Sequence, residues 1–501
     1  MTKKTIGAEI ADLRETQGMT QGDLAKHLKT TQSAIARIER GRQNVSAEML
    51  KKLSKALKKN LVTLSPGTMN LAIQGGKKLH GTVVTSTSKN GAVGLLCASL
   101  LNKGKTVLRK VPRIEEVHRI IEVLQSIGMR VEWNGSDVTL TPPKVYNLKK
   151  IDADAARRTR SIVMFIGPLI HLFSSFALPQ SGGCKLGSRT VRPHFYALEH
   201  FGTRIVTTEE EYKIITTHKT PSEIVLYESG DTVTENALMA AALTTGKTVI
   251  KYASANYQVQ ELCFFLMACG VFIEGIGTTT LTVHGIGTLK KDIEYTLSED
   301  PTDSMFFLAT AIVTQSRITI TRCPIEFLEI ELLKLEKMGF KYTKSKTYLS
   351  ENGQTKLVDI TTRPSRLIAL HEKIHPSIYP GLNIDNLPFF AVIATQAKGQ
   401  TLIHDWVYEK RALYFTELDK LGAETVLADP HRIFITGPTT LKPTELVCPP
   451  ALRPATILLI AMLGAKGHSV LRNIYSINRG YENLTERLTA LGADVAYVGE
   501  Y

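Results

Sequence analysis

From about residue 69 onward the chain repeats one unit six times, and no other feature limits its fold so tightly. Each full unit reads as a helix ending in small residues, a turn on glycine and a strand, then a second helix, glycine turn and strand. Ala98–Leu108, turning at Gly104, is followed by Val123–Glu132, turning at Gly128. The same pattern recurs in Ala241–Ile250 with Leu266–Ile273, in Ala394–Ile403 with Leu418–Thr425, and in Ala461–Leu471 with Leu488–Asp494. Their turns fall on Gly246 and Gly270, Gly399 and Gly422, and Gly467 and Gly492. Weaker copies lie at Phe195–Val206, where only the second half is recognisable, and at Ala309–Tyr342. One such unit cannot bury its own apolar surface, so the copies must pack on one another. The expected class is α/β. Neither a glycine-rich dinucleotide fingerprint nor a P-loop accompanies the strands, so nucleotide-cofactor folds are not indicated.

At 501 residues the chain is too long for one core, and two to four domains are expected. The six cysteines, at 97, 184, 263, 269, 323 and 448, are scattered with no CxxC pair, which fits a reducing compartment. The polar, basic N-terminus shows no apolar run before a cleavage site, and a cytoplasmic protein is expected. Ser161 to Pro179 carries no charged side chain and approaches the length of a membrane span. Gly167-Pro168, His171 and Ser174-Ser175 interrupt it, so a buried helix is expected there and no membrane partner.

The net charge of +14 is uneven: residues 1–65 hold thirteen Lys and Arg against six Asp and Glu. That excess points to an anionic partner. Residues 5–58 read as short helices. Thr20 is an N-cap with Asp23 in the capping-box position, and Thr31-Gln32-Ser33 opens a second helix that Gly41 closes. Met19-Thr20-Gln21, Leu24-Ala25, Ser33-Ala34-Ile35, Ile38-Glu39-Arg40-Gly41 and Leu53-Ala56-Leu57 resemble the lambda-repressor-like (Xre) helix-turn-helix family. The resemblance implies a DNA-binding domain over residues 1–65, with Gln32, Ser33 and Arg37 on base edges and Gln21 and Arg42 on phosphates. Such domains usually act as dimers, so a homodimer is among the expectations.

Six units of this kind are the hallmark of the enolpyruvyl transferase family, which the chain resembles from about Met69 to its C-terminus. The implied fold is a two-domain inside-out α/β barrel, helices within and sheets without, preceded by the small all-α domain. It implies one domain at 68–88 with 297–501 and a second at 89–296. Within the family the chain resembles the branch whose acceptor is UDP-N-acetylglucosamine, at the entry to peptidoglycan synthesis. The implied reaction moves the enolpyruvyl group of phosphoenolpyruvate onto a hydroxyl, releases phosphate and needs no cofactor or metal. It calls for cations, an acid and a base.

Ser88-Lys89-Asn90 matches the family's Lys-Asn pair, with Lys89 on phosphoenolpyruvate and Asn90 on the acceptor sugar. Ser181–Arg189 matches its Gly-Gly-Cys loop. Glycines can present a thiol at a tight turn, and the neighbouring Lys185 and Arg189 favour thiolate. By resemblance Cys184 is the general acid on a closing loop and Arg189 binds phosphoenolpyruvate. Arg160, Arg411, Arg453 and Arg479 fall on further substrate-binding positions. Asp385, ending Tyr379-Pro380-Gly381-Leu382-Asn383-Ile384-Asp385, matches the base for the acceptor hydroxyl.

The departures cluster on the nucleotide side. Ala451 replaces an aspartate before Leu452-Arg453, Thr190-Val191-Arg192-Pro193 replaces the uridine-contacting run, and Gly230-Asp231-Thr232 stands at another uridine contact. Pro301 replaces an arginine, and an acidic pair near Ala255–Tyr257 is missing. Two functions therefore remain open: a transferase fused to a DNA-binding domain, or a transcriptional regulator whose transferase-like region senses a ligand with little turnover. His371-Glu372-Lys373-Ile374-His375 matches the H-E-x-x-H zinc pattern, but Pro376 precludes the sustained helix that pattern requires.

Overall fold

The structure, a computed structural model, describes residues 69–182 and 190–498 and, before them, 10–11, 13–15, 18–28, 30–39, 52–53 and 56–57. It divides into two compact units, Met1–Thr68 and Met69–Tyr501.

In the smaller unit, helices Gln21–His27 and Gln32–Glu39 pack through Leu24, Ala25, Leu28, Ile35 and Ile38. The capping box read from the sequence is formed: Thr20 accepts from the Asp23 N–H, and Asp23 accepts from the Thr20 N–H. Glu39 is the buried hub, accepting from Arg14 Nε at 2.7 Å and from Gln21 Nε2 at 2.7 Å. Gln32, Ser33 and Arg37 are exposed on one helix, whereas Arg42 lies outside the described residues.

The larger unit holds two apolar cores. One gathers residues 71–83 and 305–495, the other residues 92–297. Three helices meet in each: Pro301–Val313, Leu387–Ala394 and Leu452–Gly464 in the first, and Lys89–Ala98, Asp231–Ala242 and Tyr257–Cys269 in the second. Every residue of Pro301–Val313 and Leu387–Ala394 is buried. A helix apolar all round belongs inside a core, and six small sheets of three to five strands form the outside. This is the inside-out α/β arrangement. The chain passes between lobes twice. Strand His80–Val84 runs parallel to Arg317–Pro324, and the first strand, Asn70–Gly75, lies between Gly467–Arg472 and the last, Asp494–Val498.

The repeat has a local cause that the turn glycines only half reveal. Gly246, Gly399 and Gly467 each face a second glycine across an antiparallel pair: Gly285, Gly437 and Gly75. A methyl group on Gly285 would collide with the carbonyl oxygens of Ala241 and Thr244, and one on Gly75 with those of Met462 and Ala465. The strand thus lies directly on the C-terminal end of a core helix, where carbonyls have no intrahelical donor. The next N–H supplies one: Gly76 donates to Leu463 at 2.8 Å and Ile286 to Ala242 at 3.0 Å. Where Pro438 follows Gly437 and has no N–H, Thr439 donates to Thr395 at 2.7 Å instead.

The Ser161–Pro179 run is not one buried helix. It breaks into a 3-10 turn (Arg160–Phe165), a single helical turn (Ile166–Leu169) and a strand (Ser175–Pro179). Gly167 lies against Asn236, whose Oδ1 takes its N–H at 2.8 Å, and Pro168 follows immediately. No helix of the described residues is long and apolar enough to cross a membrane.

The glycine contacts carry a stability prediction. Gly285→Ala must force the strand off the helix end and should cost about 1–3 kcal/mol, as overpacking does. Denaturant unfolding of the full chain measures it; an unchanged midpoint would refute the close-contact argument.

Candidate active site

Three of the six core helices begin in the lining of one cleft, and side-chain contacts of Asp385, Tyr257 and Asp231 tie the starts of the other three to them. The cleft lining includes Lys89, Asp300, Thr302, Arg453, Tyr481 and Glu482. Lys89 opens its helix behind Ser88, whose Oγ accepts from the Gly91 N–H at 2.9 Å. Asp300 caps Pro301–Val313, accepting from the Thr302 N–H at 2.8 Å and the Thr302 hydroxyl at 2.5 Å. Asn256 caps Tyr257–Cys269, Asp385 immediately precedes Asn386, the N-cap of Leu387–Ala394, and Arg453 is the second residue of Leu452–Gly464. Helix N-termini present unpaired N–H groups and the positive end of the helix dipole, so the cleft suits anions by construction.

Two cations meet there on one carboxylate. Lys89 Nζ lies 2.5 Å from Glu116 Oε2, and Arg479 of the other lobe lies 3.7 Å from the same oxygen. Ser161 Oγ donates to Glu116 Oε1 at 3.2 Å. Burial pushes the Glu116 carboxyl up, but Lys89 and Arg479 outweigh it and bring its pKa to about 2. Sequence reasoning missed Glu116. In the first turn of helix Glu115–Ser126 it reads as an ordinary favourable acid beside Glu115, and only the tertiary fold turns it toward Lys89.

A second cluster surrounds Asp385. Arg453 NH2 lies 3.5 Å from Asp385 Oδ2 and donates to Thr302 Oγ1 at 2.9 Å, while its NH1 donates to the Tyr481 hydroxyl at 2.9 Å. Burial raises the Asp385 pKa, yet Arg453, Arg411 and Lys89 together hold it below the usual carboxylate value. Asp385 is therefore ionised at neutral pH, as a proton acceptor must be. Arg411 reaches this group from beneath. It is fully buried, donating to Asp405 Oδ2 at 2.5 Å and to the Ile384 carbonyl at 2.8 Å, so it fixes the backbone beside Asp385. Glu331, which sequence reasoning also missed, braces the segment by accepting from Asn383 N and Asn386 Nδ2. Ala451 gives its helix no side-chain cap.

Cys184 and Arg189 lie outside the described residues, but both roots of their loop are held. Ser181 bonds the Tyr212 hydroxyl through its N–H and Oγ, and Gly182 lies so close to the Arg157 carbonyl that no Cβ would fit. At the far root Arg160 NH2 donates to the Thr190 carbonyl at 2.7 Å. The five described cysteines are all buried and unpaired, and burial pushes the thiols of Cys269, Cys323 and Cys448 up to about 12. None of these three is set up as a nucleophile or acid at neutral pH.

One residue beyond Lys89, Asn90 Nδ2 donates to the Tyr257 hydroxyl at 3.0 Å. Two departures from the family pattern meet here: Asp231 accepts from Ser254 Oγ at 2.5 Å and from Asn256 Nδ2 at 3.0 Å. The His371–His375 segment forms no helix; it bends, and Ile374 bridges to Ile403.

Comparison with known proteins adds independent findings. Residues 73–488 match the family described as EPSP synthase (3-phosphoshikimate 1-carboxyvinyltransferase), and residues 10–64 match one described as helix-turn-helix. The chain is similar to a UDP-N-acetylglucosamine 1-carboxyvinyltransferase of Treponema denticola, 33% identical over 423 residues, covering 84% of this chain and 98% of that protein. It is likewise similar to the protein of that name in Bradyrhizobium diazoefficiens, 31% identical over 432 residues, covering 85% and 98%. In fold it is similar to the enolpyruvyl transferase NikO from Streptomyces tendae, with a TM-score of 0.72 at 24% identity, covering 87% of this chain and all of that one. EPSP synthase from Acinetobacter baumannii gives a TM-score of 0.67 at 17% identity, covering 86% and 100%.

Behind the cleft, Glu261 sits against Gly91 of the Lys89 helix, too close for any side chain at that position, and accepts from the Ser298 N–H at 2.5 Å. Burial raises its pKa to about 8. Between the ordinary value of 4.5 and about 8 the unfolded chain releases this proton and the folded chain keeps it, so stability falls as pH rises through that window. Glu331, raised to about 7, adds to the same trend. Glu261→Gln should flatten part of this loss. Denaturant midpoints at several pH values across that window measure it, and equal slopes in parent and variant would refute the buried neutral carboxyl.

Proposed function

The chain belongs to the enolpyruvyl transferase family, whose chemistry is enolpyruvyl transfer, and on that premise we propose that it moves the enolpyruvyl group of phosphoenolpyruvate onto UDP-N-acetylglucosamine with release of phosphate. The observation that carries the reading is the meeting of Lys89 and Arg479, from different lobes, on Glu116 in the cleft that also holds Asp385 and Arg453. The relatives that share about a third of its residues over nearly their whole length bear the name of that reaction.

In this reading the phosphate and carboxylate of phosphoenolpyruvate lie among Lys89, Arg160, Arg189, Arg453 and Arg479, with Arg411 acting through the Ile384 backbone. Cys184 gives a proton to the substrate methylene. Asp385 takes the proton of the acceptor hydroxyl as its oxygen bonds to the central carbon; in the later elimination the new methyl gives up a proton as phosphate leaves, which restores the double bond. Asn90 contacts the acceptor. The lobes of the transferase are residues 68–88 with 297–501 and residues 89–296, a division that the two apolar cores support. Residues 1–65 bind DNA through Gln32, Ser33 and Arg37, whose exposure on one helix supports the role. Gln21, already donating to Glu39, keeps one amide hydrogen for a phosphate.

A second reading, a regulator that binds ligand with little turnover, is favoured by the uncapped helix at Ala451 and by the Asp231 carboxylate on the acceptor side.

Phosphate release from phosphoenolpyruvate with UDP-N-acetylglucosamine separates them. Cys184→Ala and Asp385→Ala should each lower kcat by roughly 10²–10⁴-fold, the span of general acid–base catalysis. A parent that releases no phosphate supports the regulator; variants as fast as the parent would dismiss the assigned roles. For the N-terminal domain, Arg37→Ala should weaken binding to the chain's preferred duplex about tenfold or more, and affinity should fall steeply with salt. Equal affinities, measured by fluorescence anisotropy, would remove Arg37 from the DNA interface.

A further inference from the structure

Tyr257 is a buried phenol in the middle of the site for which neither the family resemblance nor the reaction gives a role. It opens helix Tyr257–Cys269, and its N–H is held by the Asn256 side chain at 2.9 Å. Asn256 is in turn tied to Asp231, as is Ser254, so the turn that presents Tyr257 is latched to the start of a neighbouring core helix. The ring meets Phe327 edge to face with centroids 5.9 Å apart, and Phe327 contacts Tyr379 at 5.2 Å. Phe327 and Tyr379 belong to the other lobe, so the ring is clamped between lobes.

Its hydroxyl is half used. Asn90 donates to the phenol oxygen, and no described residue accepts the phenol's own hydrogen. Burial, with Asp300, Asp385 and Asp231 nearby, pushes the phenol further above its ordinary value, so it remains a neutral donor at any physiological pH. Asn90, which donates to the phenol oxygen, directly follows Lys89 in the cleft lining, and this places the O–H beside the cleft. A buried donor without a partner is costly, and a bound hydroxyl or carbonyl oxygen would satisfy it.

Building on the acceptor reading above, we propose that Tyr257 binds the acceptor and sets its specificity: its oxygen holds the Asn90 amide in place, and its O–H donates to an acceptor oxygen beside the attacking hydroxyl. The acceptor class is thus a polyol or sugar with an oxygen adjacent to the hydroxyl that reacts.

Tyr257→Phe tests this, because it keeps the ring against Phe327 and removes only the hydroxyl. UDP-N-acetylglucosamine and, separately, other sugar and polyol acceptors are first offered to the full-length parent with phosphoenolpyruvate. Whichever supports phosphate release is used for the comparison, so a failure of UDP-N-acetylglucosamine alone strikes the preceding reading and not this one. The variant should unfold at the parent's temperature and raise KM for the acceptor about tenfold. Its KM for phosphoenolpyruvate should stay within about twofold of the parent's. Asn90→Ala should cost less in the Tyr257→Phe background than alone, because the two groups act as a pair. An unchanged acceptor KM, or equal rises for both substrates, would overturn the proposal. Release with no acceptor at all would overturn both readings.

Discussion

A helix buried in a core must still find partners for the N–H groups of its first turn, and this molecule has six core helices, of which only Tyr257–Cys269 bares residues, Met267 and Ala268, to solvent. Apolar sheets cannot supply those partners. The helices therefore bring their N-termini to the one place where polar groups gather: Ser88, Asn256 and Asp300 accept first-turn N–H groups, and Asp231, Asp385 and Arg453 stand at the other helix starts. The opposite ends are closed by strands laid on bare glycine against the last carbonyls. The cleft is thus a by-product of satisfying backbone hydrogen bonds in an inside-out fold, and the positive ends of the helix dipoles are there before any choice of side chain.

Side chains then divide that field. Glu116 draws Lys89 and Arg479 together from separate lobes, while Asp385 and Asp300 lie nearer Arg453. Glu116 and Asp385 keep their charge because nearby cations outweigh their burial, whereas at Asp300 burial prevails over Arg453 and raises the carboxyl. Glu261, lacking such neighbours, stays protonated instead. One fold therefore holds acids in both states within a few residues of the same helix starts.

Much of this was legible in the chain. The glycines at 104, 246, 399 and 467 marked the turns, and the motifs around Lys89, Asp385 and Arg479 marked groups that the fold gives charged partners, Glu116 for Lys89 and Arg479 and Arg453 for Asp385. What was not legible depends on pairing across long separations. Gly285, Gly437 and Gly75 have no local pattern; their need for glycine appears only once a helix end lies beneath them. Glu116 and Tyr257 likewise look ordinary along the sequence and gain their partners from other helices. The Ser161–Pro179 run misled because apolar content does not reveal that Asn236 intrudes at Gly167.

The chain's path also sets an order of assembly. Strand Asn70–Gly75 is made early, yet both its neighbours, Gly467–Arg472 and Asp494–Val498, are made last. The lobe built from residues 92–297 has all its core residues as soon as that stretch has left the ribosome. Its counterpart must hold an unpaired strand through the synthesis of nearly four hundred further residues. A nascent chain of this protein therefore carries a finished lobe and an exposed β-edge together, and that edge is protected only when Gly467–Arg472 and Asp494–Val498 have emerged.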